Sequence, residues 1–148
     1  MKDGFTGIFE ENSVIKTLTL CIITFGSYLI YKLFCFSNQI NQHTSLHISN
    51  VFMAITTMLF TISLGSLLYG FVNLPDTTIL TSSIGMHAIS SVFDIVWIIM
   101  VRNRLNLISG STKSDTLWLN PFITSIFHVI YMQLIINKGL SSNPTQNN

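Results

Sequence analysis

Asp94 has the strongest chemical claim in this chain, because no other charged residue occurs between Asp76 and Arg102. A carboxyl group inside an apolar helix is costly, and such groups pair with a cation, exchange a proton or line an ion path. The chemistry on offer is proton or cation handling. His87, seven positions earlier, and His128, on a later apolar segment, carry imidazoles that relay protons near neutrality. Lys32 is the cation that could neutralise the carboxylate. Ser83, His87, Ser90, Ser91 and Asp94 fall at offsets 0, 4, 7, 8 and 11, which is one face of a helix. This polar stripe is expected to face a bundle interior or a water-filled cavity.

A plainer role competes with that one. Asp94 could form a structural pair with Lys32, or act as a hydrogen-bonded neutral carboxyl, and simply fix helix register. Counted inward by helical rise, Asp94 lies about 10 Å deep, Lys32 about 6 Å and His128 about 15 Å, so either partner is within reach on a neighbouring helix. His43 and His47 have the four-residue spacing of a helical metal pair, but a third ligand is missing and no metal or cofactor is expected. Nucleophile elbows, H-E-x-x-H, P-loops and C-x-x-C are absent from the sequence, so no enzyme is expected.

The elements that must position these groups follow from the charge map. The 148 residues are 49% hydrophobic and 9% charged, against about 25% charged in ordinary soluble domains. No Asp, Glu, Lys or Arg lies between Lys32 and Asp76, and none between Asp115 and Lys138. Confining charge to the ends of apolar stretches is the pattern of a chain whose main solvent is lipid. Four spans are predicted, at residues 14–36, 51–72, 79–101 and 117–136, forming an all-α integral membrane four-helix bundle in one domain. Each has enough residues to cross about 30 Å of hydrocarbon. The polar connections are 37–50, a tight hairpin at 73–78 around Pro75, and 102–116; residues 139–148 read as a disordered tail. The long first apolar run argues against a cleaved signal peptide.

Small residues mark expected helix contacts: Gly26 on the first span, and Thr57, Thr61, Gly65 and Gly70 on the second. Arg102, Arg104 and Lys113 are expected to meet lipid headgroups. Tyr28, Tyr31, Trp97, Trp118 and Tyr131 include the aromatic interface anchors. Cys21 and Cys35 share the first span about 21 Å apart, out of disulfide reach. Lys2, Lys16 and Lys138 fall on one side of the membrane, three in all, against four on the other: Lys32, Arg102, Arg104 and Lys113. The positive-inside rule therefore favours loops 37–50 and 102–116 on the cytoplasmic side of a cell membrane. A net charge of +1 gives no reason to expect nucleic acid as a partner.

Two segments carry a resemblance. Ile23, Thr24, Gly26 and Tyr28 form an I-T-x-G-x-Y pattern, and Thr124, Phe127, Tyr131, Gln133, Ile136 and Asn137 form T-x-x-F-x-x-x-Y-x-Q-x-x-I-N. With the Arg102–Asn106 segment RNRLN, they resemble a family of small bacterial multi-pass membrane proteins of unknown function. Tyr31-Lys32 and His128 depart from its usual aromatic and apolar choices. The resemblance implies a bacterial multi-pass protein without assigned catalytic residues.

Three functions are then in competition. The first is non-enzymatic action through helix–helix contacts with a membrane partner or a second copy. The second is a small proton- or cation-coupled transporter or channel using Asp94; four spans at this size resemble the small multidrug-resistance transporters, whose embedded first-span Glu has no counterpart here. The third is an immunity-type inhibitor of a pore-forming toxin.

Overall fold

The structure, a computed structural model, describes residues 4–73 and 77–142, and among them every regular element is helical. The helices are α1 (Val14–Ile23), α2 (Ser27–His43), α3 (Asn50–Val72), α4 (Thr77–Ser109) and α5 (Pro121–Ser141). Three of them, α3, α4 and α5, are long and apolar enough to cross a membrane. The chain forms two compact units, Met1–Ile48 with Ile98–Asn148, and Ser49–Trp97.

The expected first span is broken into two helices, and the break has a clear local cause. Phe25 N–H donates to Ile22 O at 3.2 Å and Gly26 N–H to Cys21 O at 3.0 Å, the bond pair of a Schellman C-cap. Phe25 takes the left-handed position (φ 50°) and Gly26 follows at φ 86°. Thr24 then links the two helices: its hydroxyl donates to Leu20 O at 2.7 Å and accepts from Tyr28 N–H at 2.9 Å. One threonine thus closes α1 and caps α2. At ten and seventeen residues the pieces are about 15 Å and 25 Å long, each short of the hydrocarbon thickness. Cys21 and Cys35 therefore lie on different helices, both as free thiols.

Other boundaries shift for equally local reasons. Ser49 caps α3 by accepting Phe52 N–H, and Asn120 caps α5 by accepting Phe122 and Ile123 N–H ahead of Pro121. Residues 117–120, assigned to the last span, are not helical. The expected loop at 102–116 is helical as far as Ser109, because Val101 and Leu105, one turn apart, are both fully buried. At 33 residues, α4 is about 50 Å long, well beyond a bilayer core. Residues 37–43 of the next expected loop belong to α2, and α5 continues through Ser141 into the expected tail. The 73–78 hairpin lies partly outside the described residues, as does the tail from 143 onward.

In the unit built from both ends of the chain, α1, α2 and α5 pack against one another. Leu33, Phe36, Ile40, Leu105, Met132 and Ile136 form its core. Phe5 and Phe9 close it from the N-terminal turn, in edge-to-face contacts that run Phe5–Phe9–Phe36 at 5.7 and 5.9 Å. Gly139 is where the turn seats: a Cβ there would stand 2.5 Å from the Phe5 ring. Many large apolar side chains are exposed in both units. Val51, Met58 and Val72 on α3, Ile89 and Val92 on α4, and Phe122 on α5 are all more than half exposed. Large apolar side chains exposed in this number suit lipid better than water.

Candidate functional site

The Ser49–Trp97 unit is a helical hairpin with polar groups inside and apolar groups outside. On α3 the buried residues are Met53, Thr56, Phe60, Ser63 and Gly70, one face of the helix. Gly70 permits a close approach, since a Cβ there would meet Leu80 Cα at 3.2 Å. One turn on, Ser66 and Ser83 hydroxyls bond at 2.9 Å, and Ser83 also donates to Ser66 O at 3.0 Å. Next along, Ser63 Oγ bonds His87 Nδ1 at 3.1 Å, and the Phe60 ring lies 6.2 Å from the imidazole. Phe52 and Trp97 meet edge to face at 6.4 Å. These pairs fix one antiparallel register: 70 with 80, 66 with 83, 63 with 87, 52 with 97. Lipid supplies no hydrophobic force to hold two helices together, so the hydroxyl bonds and small side chains must do it.

The same register places Thr56 level with Asp94. Ser90 lies one turn before Asp94 on the same face of α4, and Thr57 adjoins Thr56. Here the pairing stops. Thr56 Oγ1, Thr57 Oγ1, Ser90 Oγ and Asp94 Oδ1 are buried without a hydrogen-bond partner. Thr56 is 0% exposed and Ser90 2%. Hydroxyls elsewhere in the hairpin donate to the carbonyl one turn back, as in Thr61 to Thr57 O, Thr81 to Thr77 O and Ser91 to His87 O. That is the usual way for Ser and Thr to satisfy themselves inside a membrane helix. The Asp94 level is where this arrangement is not used.

Of Thr57, Thr61 and Gly65, read from the sequence as a helix-contact stripe, Thr57 is half-buried with its Oγ1 enclosed. Thr61 and Gly65 are exposed, and a Cβ at Gly65 would meet nothing within 4 Å. Gly70 is buried beside Leu80. Gly26 sits at the α1–α2 break, where its backbone is left-handed.

Lys32 and His128 belong to the other unit. The Lys32 ammonium donates to Gln133 Oε1 at 3.0 Å and lies 5.2 Å from the Phe36 ring centre. Its partner is thus a neutral amide. Gln133, fully buried, donates in turn to Asn137 Oδ1 at 2.8 Å and Glu10 O at 3.4 Å. A pocket of about 200 Å³ beside Lys32 is lined by Glu10, Asn12, Tyr28, Tyr31, Cys35 and Gln39, among others. His128 occupies a kink in α5, with φ 47° and ψ −130°. A positive φ at a non-glycine residue inside a helix is a strained conformation.

The arginines bind backbone. Arg104 donates to Leu46 O, Met100 O and His47 O, each at 3.0 Å. Arg102 donates to Leu119 O at 2.7 Å, and its guanidinium stacks 5.2 Å from the Trp118 ring centre. Lys113 is exposed. Trp97 is wholly buried rather than placed as an interface anchor. His43 bonds its own helix at Gln39 O, and the described residues contain no cluster of three or more metal-ligating side chains.

Sequence reasoning missed three asparagines that brace the non-helical segments. Asn41 pairs with both backbone groups of Ile48 (2.8 and 2.7 Å), Asn106 with both of Leu119 (3.3 and 2.8 Å), and Asn137 with both of Asn12 (2.7 and 3.3 Å). In each case one primary amide replaces the two bonds that a neighbouring strand would make. The signal was present as three apolar-Asn dipeptides, Ile40-Asn41, Leu105-Asn106 and Ile136-Asn137, whose apolar members are all fully buried.

Comparison with family models, curated proteins and solved structures finds no match for the chain. The chain is a helical protein with three candidate membrane-spanning helices.

Proposed function

We propose that this is a non-enzymatic, four-crossing membrane protein that acts through helix contacts in the bilayer, with a membrane partner or a second copy. In this reading α1 and α2 together make one interrupted crossing. The observation that carries it is the outer face of α3, where Thr61 and Gly65 are exposed small residues that the hairpin leaves unused. Small residues with open space let another helix approach closely. Disulfide cross-linking in native membranes from Thr61→Cys, in a chain with Cys21 and Cys35 replaced by serine, tests this. A dimer or a discrete larger adduct is expected, reduced several-fold by Gly65→Ile. A monomer band alone, or one insensitive to Gly65→Ile, refutes it.

A second reading has its own observation, the unpartnered oxygens at the Asp94 level. It makes the hairpin part of a proton or cation path. Ion flux into proteoliposomes, abolished by Asp94→Asn in a chain that still folds, is the expected result. Equal flux through both chains, or none through either, removes it. The resemblance to small bacterial multi-pass proteins is compatible with both readings.

A further inference from the structure

We propose that Thr56, Thr57, Ser90 and Asp94 form a binding site for one desolvated alkali cation. The inference rests on the second reading above and gives that path a substrate class. Four oxygens are buried without partners within about one turn of one another along one hairpin, Thr56 opposite Asp94 and Ser90 a turn away on the same face of α4. Two of their side chains are nine-tenths buried or more, Thr56 at 0% and Ser90 at 2%. Such groups persist in a native structure only when something not yet counted satisfies them: a water, a proton or an ion.

The donor set narrows the choice. One carboxylate and three hydroxyls make an all-oxygen, hard-ligand environment, unsuited to the softer metals that select imidazole or thiolate. Charge narrows it further. A monovalent cation with one carboxylate is neutral overall, whereas a divalent ion leaves a net positive charge in a low-dielectric interior. A proton would neutralise Asp94 but leave the three hydroxyl oxygens still without a partner. The neighbouring imidazole does not compete, since His87 Nδ1 is already bonded to Ser63 at 3.1 Å. The hydroxyls have also not turned back to their own helix carbonyls as Thr61 and Ser91 do. Their oxygens are therefore available to a ligand between the helices.

The test is equilibrium binding of radiolabelled Na+ to the full chain in detergent, at neutral pH with choline as the replacement cation. Saturable binding of about one ion per chain is expected, competed by unlabelled Na+ or Li+. Thr56→Val keeps side-chain shape and removes one ligand oxygen; it should weaken binding at least ten-fold, and Asp94→Asn should abolish it. If Asp94→Asn does not fold, Thr56→Val and Ser90→Ala still decide the question. Absence of saturable Na+ binding in the wild type overturns the proposal, as does binding unchanged in Thr56→Val and Ser90→Ala. The proteoliposome assay separates this failure from that of the transport reading. Proton flux lost in Asp94→Asn, without Na+ binding, overturns the cation site and keeps the path. Na+ binding without flux of any ion keeps the site and removes the path.

Discussion

Gln133→Leu is expected to destabilise the protein by about 3 kcal/mol, the cost of leaving a buried charged donor without its neutral acceptor. The substitution conserves bulk, so packing alone predicts little change. The cost arises from Lys32, which is 7% exposed and donates to Gln133 Oε1 at 3.0 Å. Without that acceptor the ammonium must find water through the adjoining pocket or remain unsatisfied in a low-dielectric interior. The loss extends past the lysine. Gln133 Nε2 also donates to Asn137 Oδ1 and Glu10 O, so the segment joining the N-terminal turn to α1 loses a tie as well. Thermal unfolding in detergent checks this, with Lys32→Met/Gln133→Leu as the decisive companion. The double variant removes the buried charge together with its acceptor and should recover most of the stability. A single variant within about 1 kcal/mol of wild type would show that water already serves the ammonium.

Much of the architecture was legible in the charge map because hydrophobicity over twenty residues is a strong signal. α3, α4 and α5 overlap the last three expected spans. The break in the first span has a cause that hydropathy cannot register: Thr24, Phe25 and Gly26 are ordinary in an apolar run, and the break lies in their backbone angles and in one shared threonine hydroxyl. The inner face of α3 could not be told from its outer face for a related reason. Thr57, Thr61 and Gly65 have regular four-residue spacing, yet the hairpin uses Met53, Thr56, Phe60, Ser63 and Gly70. Side-chain size is common to both faces. What selects one is the set of hydroxyl and imidazole bonds to Ser83 and His87 across the seam.

The polar stripe on α4 could be read directly, since 3.6-residue periodicity within one helix brings Ser83, His87, Ser90 and Asp94 into line. Its counterpart could not. That Thr56 lies level with Asp94 depends on the register between two helices, and no single-helix pattern contains it. Lys32 illustrates the same limit, because depth along a span identifies residues at similar heights but not which helices are neighbours. Its acceptor, Gln133, was noted only as part of a family-like motif and gained no chemical role from the sequence.

Arg104→Ala should cost about 2–4 kcal/mol, with the effect concentrated in the 44–49 connection. Hydrogen bonds from charged donors contribute roughly 1.5–3 kcal/mol each, but the contact to His47 is exposed and the three are not additive. The guanidinium is the geometric key: one planar group reaches Leu46 O and His47 O on the connection and Met100 O on its own helix. Asn41, through Ile48, and the local Thr44–Leu46 bond would then hold the connection. Amide exchange at residues 46–48 should speed up by ten-fold or more, while exchange in α3 stays slow. Arg104→Lys separates this role from headgroup anchoring. A lysine carries the same charge but concentrates its donors at one point, so it cannot span three carbonyls. Exchange in Arg104→Lys should therefore resemble that of Arg104→Ala, and should not depend on the anionic lipid content of the nanodisc. An anchor to headgroups would behave in the opposite way, restored by lysine and strengthened by anionic lipid.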